Sequence, residues 1–285
     1  MTVSNCTIWM KHLQEVIRTH QPLAIAFSGG TDSTLLAKVA AGVPGPPPLL
    51  VHVRSALIKS SETAFCIDWA AQEKIELLVL DFSPFELENV RSNPPRRCYY
   101  CKQQIVDAIR TALVQTGREN YHLADGANLD DLGDYRPGME ATNELGVLHP
   151  LIMAGLDKTA IRRLGRKIGT PNCDAPAAAC LASRISYGTE LTPERLAMVA
   201  TAEDFLTGHG FPGCRVRYVD HRAEIEVNPS YFRHILSLRK QITDKLLGLG
   251  FIAVLLNLEG YKQGTMNRGI ATGSKAKDRH DASST

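Results

Sequence analysis

Leu23-Ala24-Ile25-Ala26-Phe27-Ser28-Gly29-Gly30-Thr31-Asp32-Ser33 decides the fold of this chain. Its first five residues form a short apolar run bounded by turn formers, which reads as a buried strand. The next six turn straight into a helix carrying Leu35, Leu36, Val39 and Ala40 at helical spacing. Strand, glycine turn and helix start together make an anion site. Glycine lets the backbone approach a phosphate closely, and the first helical N–H groups face it at the positive end of the helix dipole. Ser28 and Ser33 add hydroxyl donors. A Walker A loop needs a Lys followed by Ser or Thr after its second glycine, and hydride carriers use GxGxxG; neither pattern is present.

Outward from this stretch, strands and helices alternate. Trp9, Leu13, Val16 and Ile17 mark a helix before it. After it come a strand from Leu49, a helix through 61–74, a strand ending at Asp81 and a long helix closed by Gly117. A strand from Tyr121 to Ala124 and a helix capped by Asp157 and closed by Gly169 follow. Such alternation predicts a parallel sheet with crossover helices, an α/β Rossmann-like domain. GVPGPPP from Gly42 and SNPPRR from Ser92 can continue neither element and read as loops. From Thr192 the rhythm changes: a Thr-Pro helix start, a helix to Gly208, and RVRYV pairing with AEIEV around Asp220-His221-Arg222. One helix from Phe232 to Leu246 and a strand FIAVLLNL complete a smaller α+β domain. The expected division is 1–184 and 185–265, with a polar tail at 266–285 that buries too little to order itself.

Composition bounds the function. The 285 residues are 44% hydrophobic, enough for a large core without a stabilising metal or disulfide. Lys plus Arg number 32 against 30 acidic residues, a balance that excludes binding of a polyanion by bulk charge. No apolar run reaches membrane-spanning length, and the first residues lack a signal-peptide pattern, so a cytoplasmic location is expected. Seven cysteines, an odd number at low density, suggest catalytic or metal-binding thiols rather than a disulfide framework.

Two further clusters carry chemistry. Asp125-Gly126-Ala127-Asn128-Leu129-Asp130-Asp131-Leu132-Gly133-Asp134-Tyr135-Arg136-Pro137-Gly138 follows the fourth strand. Its acidic and amide side chains suit Mg²⁺ or a nucleotide, and equally a solvated connector. Cys98-Tyr99-Tyr100-Cys101-Lys102 opens the long helix, where a spacing of three puts both sulfurs on one face. Alone, that pair reads as a redox dithiol, half a metal site or two ordinary buried thiols. The helix start and nearby Arg96, Arg97 and Lys102 favour thiolates. Cys180 lies in an irregular small-residue segment, Cys66 on a core-facing helix, and Cys173 close enough to Cys180 to be a further candidate ligand; Cys6 and Cys214 have no such company. Arg215 and Arg217 share one face of a strand, suiting a phosphate or simply a solvated sheet face.

The phosphate loop is similar to the SGGxDS signature of the PP-loop ATP pyrophosphatases, which cleave ATP between the α and β phosphates and adenylate a substrate. Together with CYYCK, DGANLDDLGDYRPG, CLASRISYGTELT and CRVRY, the chain resembles the LarE sulfur transferases from about residue 9 to 267. These make the thiocarboxylates of the nickel-pincer nucleotide cofactor of lactate racemase. The resemblance implies that Ser28, Gly29, Gly30, Asp32 and Ser33 hold the pyrophosphate half of ATP, with Asp32 on its Mg²⁺ and Asp125 and Arg136 in the same nucleotide site. It assigns Lys102 a role in activity and places Arg215, Arg217 and Glu203 at a substrate phosphate.

The cysteine pattern matches three-cysteine variants in which Cys98, Cys101 and Cys180 bind a 4Fe-4S cluster beside the ATP pocket. In single-cysteine members the thiol at the position of Cys180 gives up its own sulfur instead. The implied substrate is a pyridinium-3,5-biscarboxylic acid mononucleotide, and the implied partners are a sulfide donor system, the nickel-inserting enzyme and further copies of the chain. A tRNA thiolation enzyme of the same class is the rival reading, and a non-catalytic adenylate or iron-sulfur sensor a more distant one. Near-neutral charge speaks against nucleic acid.

Overall fold

A computed structural model describes residues 3–133, 136–175 and 179–262. In chain order the elements are α1 (Val3–Thr19), β1 (Leu23–Ala26), α2 (Thr31–Ala41), β2 (Leu49–Arg54), α3 (Ser60–Glu73) and β3 (Leu77–Asp81). Next are α4 (Glu88–Arg91), α5 (Arg97–Gln115), β4 (His122–Ala124), α6 (Pro137–Glu144), α7 (Pro150–Met153) and α8 (Lys158–Ile168). The remainder are α9 (Pro193–Gly208), β5 (Arg215–Val219), β6 (Arg222–Glu226), α10 (Phe232–Ser237), α11 (Arg239–Gly248) and β7 (Val254–Leu256). Asp134, Tyr135, the residues 176–178 ahead of Cys180 and the expected tail at 266–285 lie outside the described residues. No described helix is long and apolar enough to cross a membrane.

The chain divides into two units, Met1–Pro84 with Arg96–Ala178 and Phe85–Pro95 with Ala179–Thr285. The sequence reading divided it at 184/185; by contacts, residues 179–184 and the 85–95 insertion both go with the second unit. Buried Asn93 explains the insertion's membership. Its carboxamide donates to the carbonyls of Ile185 (3.3 Å), Ser186 (2.8 Å) and Thr189 (3.1 Å), while its own carbonyl accepts from Gly188 N–H.

The first unit contains the parallel α/β sheet the alternation predicts, in the order β3-β2-β1-β4. β1 is buried on both faces, which is why LAIA shows no polar alternation. Leu23 and Ile25 join a core with Leu13, Leu36, Trp69 and Leu164, whereas Ala24 joins the opposite layer with Val51, Ile109 and Leu113. Because β2 lies on one side of β1 and β4 on the other, the connections diverge at the β1/β4 edge. The crevice outside the carboxyl ends of strands at such a switch point is where open α/β sheets bind ligands.

In the second unit β5 and β6 form the expected antiparallel hairpin, with Arg215 opposite Glu226, and β7 adds parallel to β6. Two details differ from the expectation. The single helix from Phe232 to Leu246 is two, α10 and α11, broken at Leu238. The Ser237 hydroxyl, which donates to the His234 carbonyl at 2.6 Å, competes with the helical ladder there. The last strand is only Val254–Leu256, because β6 pairs with it over Ala223 to Ile225 alone.

Candidate functional site

In the first unit, β1 runs into the glycine turn at 28–33. Gly29 has φ +72° and Gly30 caps α2 in extended conformation. The left-handed φ at Gly29 is open to glycine and strained for side chains. A Cβ there would also stand 2.7 Å from Cys66 Sγ and 3.0 Å from the Phe65 ring, so the loop lies directly on α3. Burial pushes the Cys66 thiol up to about 12, with the Glu62 charge adding to the rise. Ser28 Oγ and Ser33 Oγ lie 3.2 Å apart, Ser28 Oγ accepts from Gly30 N–H at 3.3 Å, and Ser33 Oγ donates to Gly30 O at 3.2 Å. Helical bonding begins with Thr34 N–H on Gly30 O, which leaves the N–H groups of Thr31 to Ser33 ahead of the ladder.

The acidic loop after β4 comes up against this turn. A Cβ on Gly126 would stand 2.9 Å from Ser33 N, so the two backbones approach as only glycine permits. Asp125 Oδ1 accepts from Ala127 N–H (3.0 Å) and lies 2.7 Å from His149 Nδ1, whose Nε2 is 2.9 Å from Asn143 Oδ1. Asn128 and Asp131 brace the loop from within, and Arg136 pairs with Asp131 at 2.7 Å. Lys158, the first residue of α8, is donated into the same place: its N–H bonds Asp130 Oδ2 at 3.0 Å and its Nζ holds Asp32 at 2.6 and 2.7 Å. Burial pushes the Asp32 carboxyl above its ordinary range. Lys158 pulls it back, and the charge of Asp131 adds to the rise.

The turn at 28–33 thus meets the loop after β4 at the switch point through Gly126, against Ser33 N, and Asn128, whose Nδ2 lies 3.5 Å from Asp32 Oδ2. Lys158, His149 and Asn172 were not foreseen. Lys158 reads in the sequence as one more cation of a basic helix, and Asn172 follows the helix-ending Gly169 in an unpatterned stretch. Asn172 Nδ2 donates to Gly29 O at 2.6 Å.

Cys98 and Cys101 lie half-buried on the first turn of α5. Buried Arg97 donates to Cys98 Sγ at 3.5 Å. The turn is covered by the start of α6, since a Cβ on Gly138 would stand 3.1 Å from Lys102 Cγ and 3.4 Å from Cys98 O. Arg96 on Glu140 (2.8 Å) and the Tyr99 hydroxyl on Glu144 (2.5 Å) join the two helices. Lys102, half-buried overall, therefore lies against Gly138 next to the CxxC turn.

In the second unit Cys180 is exposed and caps the 3-10 turn Leu181–Arg184. Arg184 holds that turn from inside. Its Nη1 donates to Ala179 O (2.7 Å), Cys180 O (3.3 Å) and Ser183 Oγ (2.9 Å), while Nε and Nη2 grip Glu203 at 2.8 and 3.1 Å. Glu203 is buried and its Oε1 also accepts from Val216 N–H at 3.2 Å. Arg217 donates to Ser183 O (2.6 Å) and Glu226 (2.9 Å), and Arg215 to Cys214 O (2.9 Å) with Tyr261 stacked on its guanidinium. The arginine pair thus faces one side of β5, with Val216 and Tyr218 buried on the other.

No disulfide joins any of the seven cysteines. Cys98 and Cys101 belong to the first unit and Cys180 to the second. Among the described residues no three His, Cys, Asp or Glu side chains group as a metal site.

No family model matches the chain. It is 31% identical over 258 residues to the pyridinium-3,5-bisthiocarboxylic acid mononucleotide synthase of Lactiplantibacillus plantarum, covering 90% of this chain and 92% of that protein. An uncharacterized protein of a Synechocystis strain is 35% identical over 246 residues, covering 86% and 91% of the two chains. Another, from Methanocaldococcus jannaschii, is 27% identical over 249 residues, covering 85% and 92%.

Proposed function

Since the chain belongs to the LarE family of pyridinium-3,5-bisthiocarboxylic acid mononucleotide synthases, we propose that it uses ATP to exchange carboxylate oxygen for sulfur on a pyridinium-3,5-biscarboxylic acid mononucleotide. A carboxylate resists nucleophiles because its charge is delocalised. One of its oxygens first attacks the α-phosphorus of ATP, the bond to the β-phosphate oxygen breaks, and pyrophosphate leaves. The acyl-adenylate now carries a good leaving group. A sulfur nucleophile adds to the acyl carbon, AMP departs with the bridging oxygen, and a thiocarboxylate remains. Repetition on the second carboxylate gives the dithio product.

The observation that carries this reading is the strand, glycine turn and helix start at 23–33, set at the switch point against an acidic loop. Gly30 N–H, the first N–H groups of α2 and the hydroxyls of Ser28 and Ser33 are the donors for the departing pyrophosphate. The carboxylates of Asp32 and Asp131, close enough for one to raise the pKa of the other, are the oxygen donors that suit Mg²⁺. Asp125 and Arg136 complete the nucleotide side. Lys102 stabilises negative charge as it develops at the α-phosphate or acyl oxygen, and losing one such donor lowers rate by about 10² to 10³. Arg215 and Arg217, side by side on one face of β5, bring two guanidinium groups to the substrate phosphate. Glu203, whose carboxylate accepts from Arg184 and from Val216 N–H, belongs to the same phosphate site and fixes β5 there.

The donor chemistry also suits a cluster. Cys98 and Cys101, one turn apart, and the exposed Cys180 are the three thiolates that would hold a 4Fe-4S centre with one iron lacking a protein ligand. When bound, such a centre would supply the sulfide. The exposure of Cys180 also favours a second route, in which that thiol is itself consumed.

Anaerobic incubation with ATP and the dicarboxylate tests the reading. AMP and pyrophosphate in equal amounts, with sulfur in the product, are expected; neither nucleotide product would overturn it. An unchanged protein mass after turnover selects the cluster route over consumption of Cys180. Steeply salt-dependent tRNA binding would instead select the thiolase rival.

A further inference from the structure

We propose that Asn172 is a positioning residue that locks the Gly29–Gly30 peptide in its anion-binding orientation. This rests on the reading of 28–33 as the nucleotide phosphate site. Asn172 Nδ2 donates to Gly29 O at 2.6 Å and to Thr34 Oγ1 at 3.1 Å, and its backbone carbonyl accepts from Thr31 Oγ1 at 3.0 Å. One residue from beyond α8 thus bonds the turn itself, the first residue of α2 and the first turn of that helix. Chemistry decides which way the carboxamide faces: Gly29 O can only accept, so nitrogen must meet it. The consequence is that Asn172 Oδ1 is buried with no hydrogen-bond partner. Leaving an acceptor so is unfavourable, and the two donor bonds hold the amide there regardless.

A planar trans peptide sends its C=O and N–H to opposite edges. With Gly29 O drawn to Asn172, Gly30 N–H must face the other way, where it rests on Ser28 Oγ at 3.3 Å. A glycine pair flips such a peptide easily, because both signs of φ are open to it. The flipped form would turn a carbonyl oxygen toward the phosphate and repel it. Asn172 removes that alternative before ligand arrives. Its own position is set by α8, where a Cβ on Gly165 would stand 2.6 Å from Thr170 Oγ1 and 2.9 Å from Cys173 Cβ.

The test uses the full chain with inorganic pyrophosphate and ATP as calorimetric ligands, and ¹⁵N-glycine labelling to follow the Gly30 amide. Asn172→Ala is expected to weaken both ligands about tenfold, to raise KM for ATP with kcat little changed, and to broaden or double the Gly30 resonance. Asn172→Ser retains one donor and should fall between; it carries the test if the alanine variant does not fold. Unchanged affinity and a single Gly30 resonance in the variants would overturn the role of Asn172 alone. A wild-type chain that binds neither ligand would overturn the reading of the loop, and this inference with it.

Discussion

Lys158 grips both carboxylate oxygens of Asp32, with Nζ 2.6 Å from Oδ1 and 2.7 Å from Oδ2. It joins the start of α8 to the first turn of α2, 126 positions earlier in the chain. The pair places a cation beside the glycine turn at 28–33.

Removing that cation should have a pH signature. In Lys158→Met, Asp32 keeps its burial but loses its partner, so its carboxyl holds a proton to still higher pH. With 26% and 23% of the two side chains in water, the loss at pH 7 should be about 2 kcal/mol, below that of a fully buried pair. In the unfolded chain the carboxyl ionises near pH 4. Below that, Asp32 is protonated in both states and the penalty vanishes. Thermal melts of wild type and variant should therefore differ at pH 7 and converge on acidification.

Gly29→Ala should abolish nucleotide binding through its contacts with Cys66 Sγ and the Phe65 ring and through the positive φ. Cys66→Ala removes only the first. The double variant should recover part of the ATP affinity, leaving the Phe65 contact and the strain of about 1–2 kcal/mol for a left-handed residue. Full recovery, measured by calorimetry, would show that backbone strain plays no part.

Thiol reactivity should separate the cysteines. Cys66, buried and with its thiol pushed up to about 12, should resist iodoacetamide at pH 8 until the chain unfolds. In the cluster-free protein, exposed Cys180 should label quickly. Mass spectrometry of peptides from timed labelling reads both. The raised pKa of Cys66 also means that stability falls as pH rises above about 9, where only the unfolded thiol ionises.

Glu203→Gln and Arg184→Met should each destabilise the second unit by about 3–5 kcal/mol, the loss expected when one partner of a buried pair is removed. Arg184→Met with Glu203→Met should recover much of that in urea denaturation. Because Arg184 also holds the Ala179 and Cys180 carbonyls, the double variant should still present Cys180 differently, read as a changed alkylation rate.

For the cluster, anaerobic purification should yield about four irons and four sulfides per chain. Cys98→Ala, Cys101→Ala and Cys180→Ala should each lose the iron-sulfur absorption. Retention of both spectrum and turnover in all three would end the proposal.

Much of the first unit was legible because its signals are local. A continuous apolar run bounded by SGG, and caps such as Asp157, whose side chain accepts from Ala160 N–H at 2.7 Å, announce themselves in a few residues. The broken helix at Leu238 was not legible, since it turns on one hydroxyl competing for one carbonyl. The membership of 85–95 was hidden for another reason: Asn93 reaches partners 92 to 96 positions away.

By itself the sequence determined the strands and long helices of the first unit, that its sheet is parallel, and that a glycine turn with acidic company follows its strands. Periodicity and turn chemistry act within a few residues, so they survive in the one-dimensional string. Only the tertiary structure decided that Lys158 answers Asp32, that Asn172 pins Gly29, and that Glu203 is spoken for by Arg184. Those pairings are set by packing at long sequence separation, where residue type says what a group can bond but not what will stand beside it.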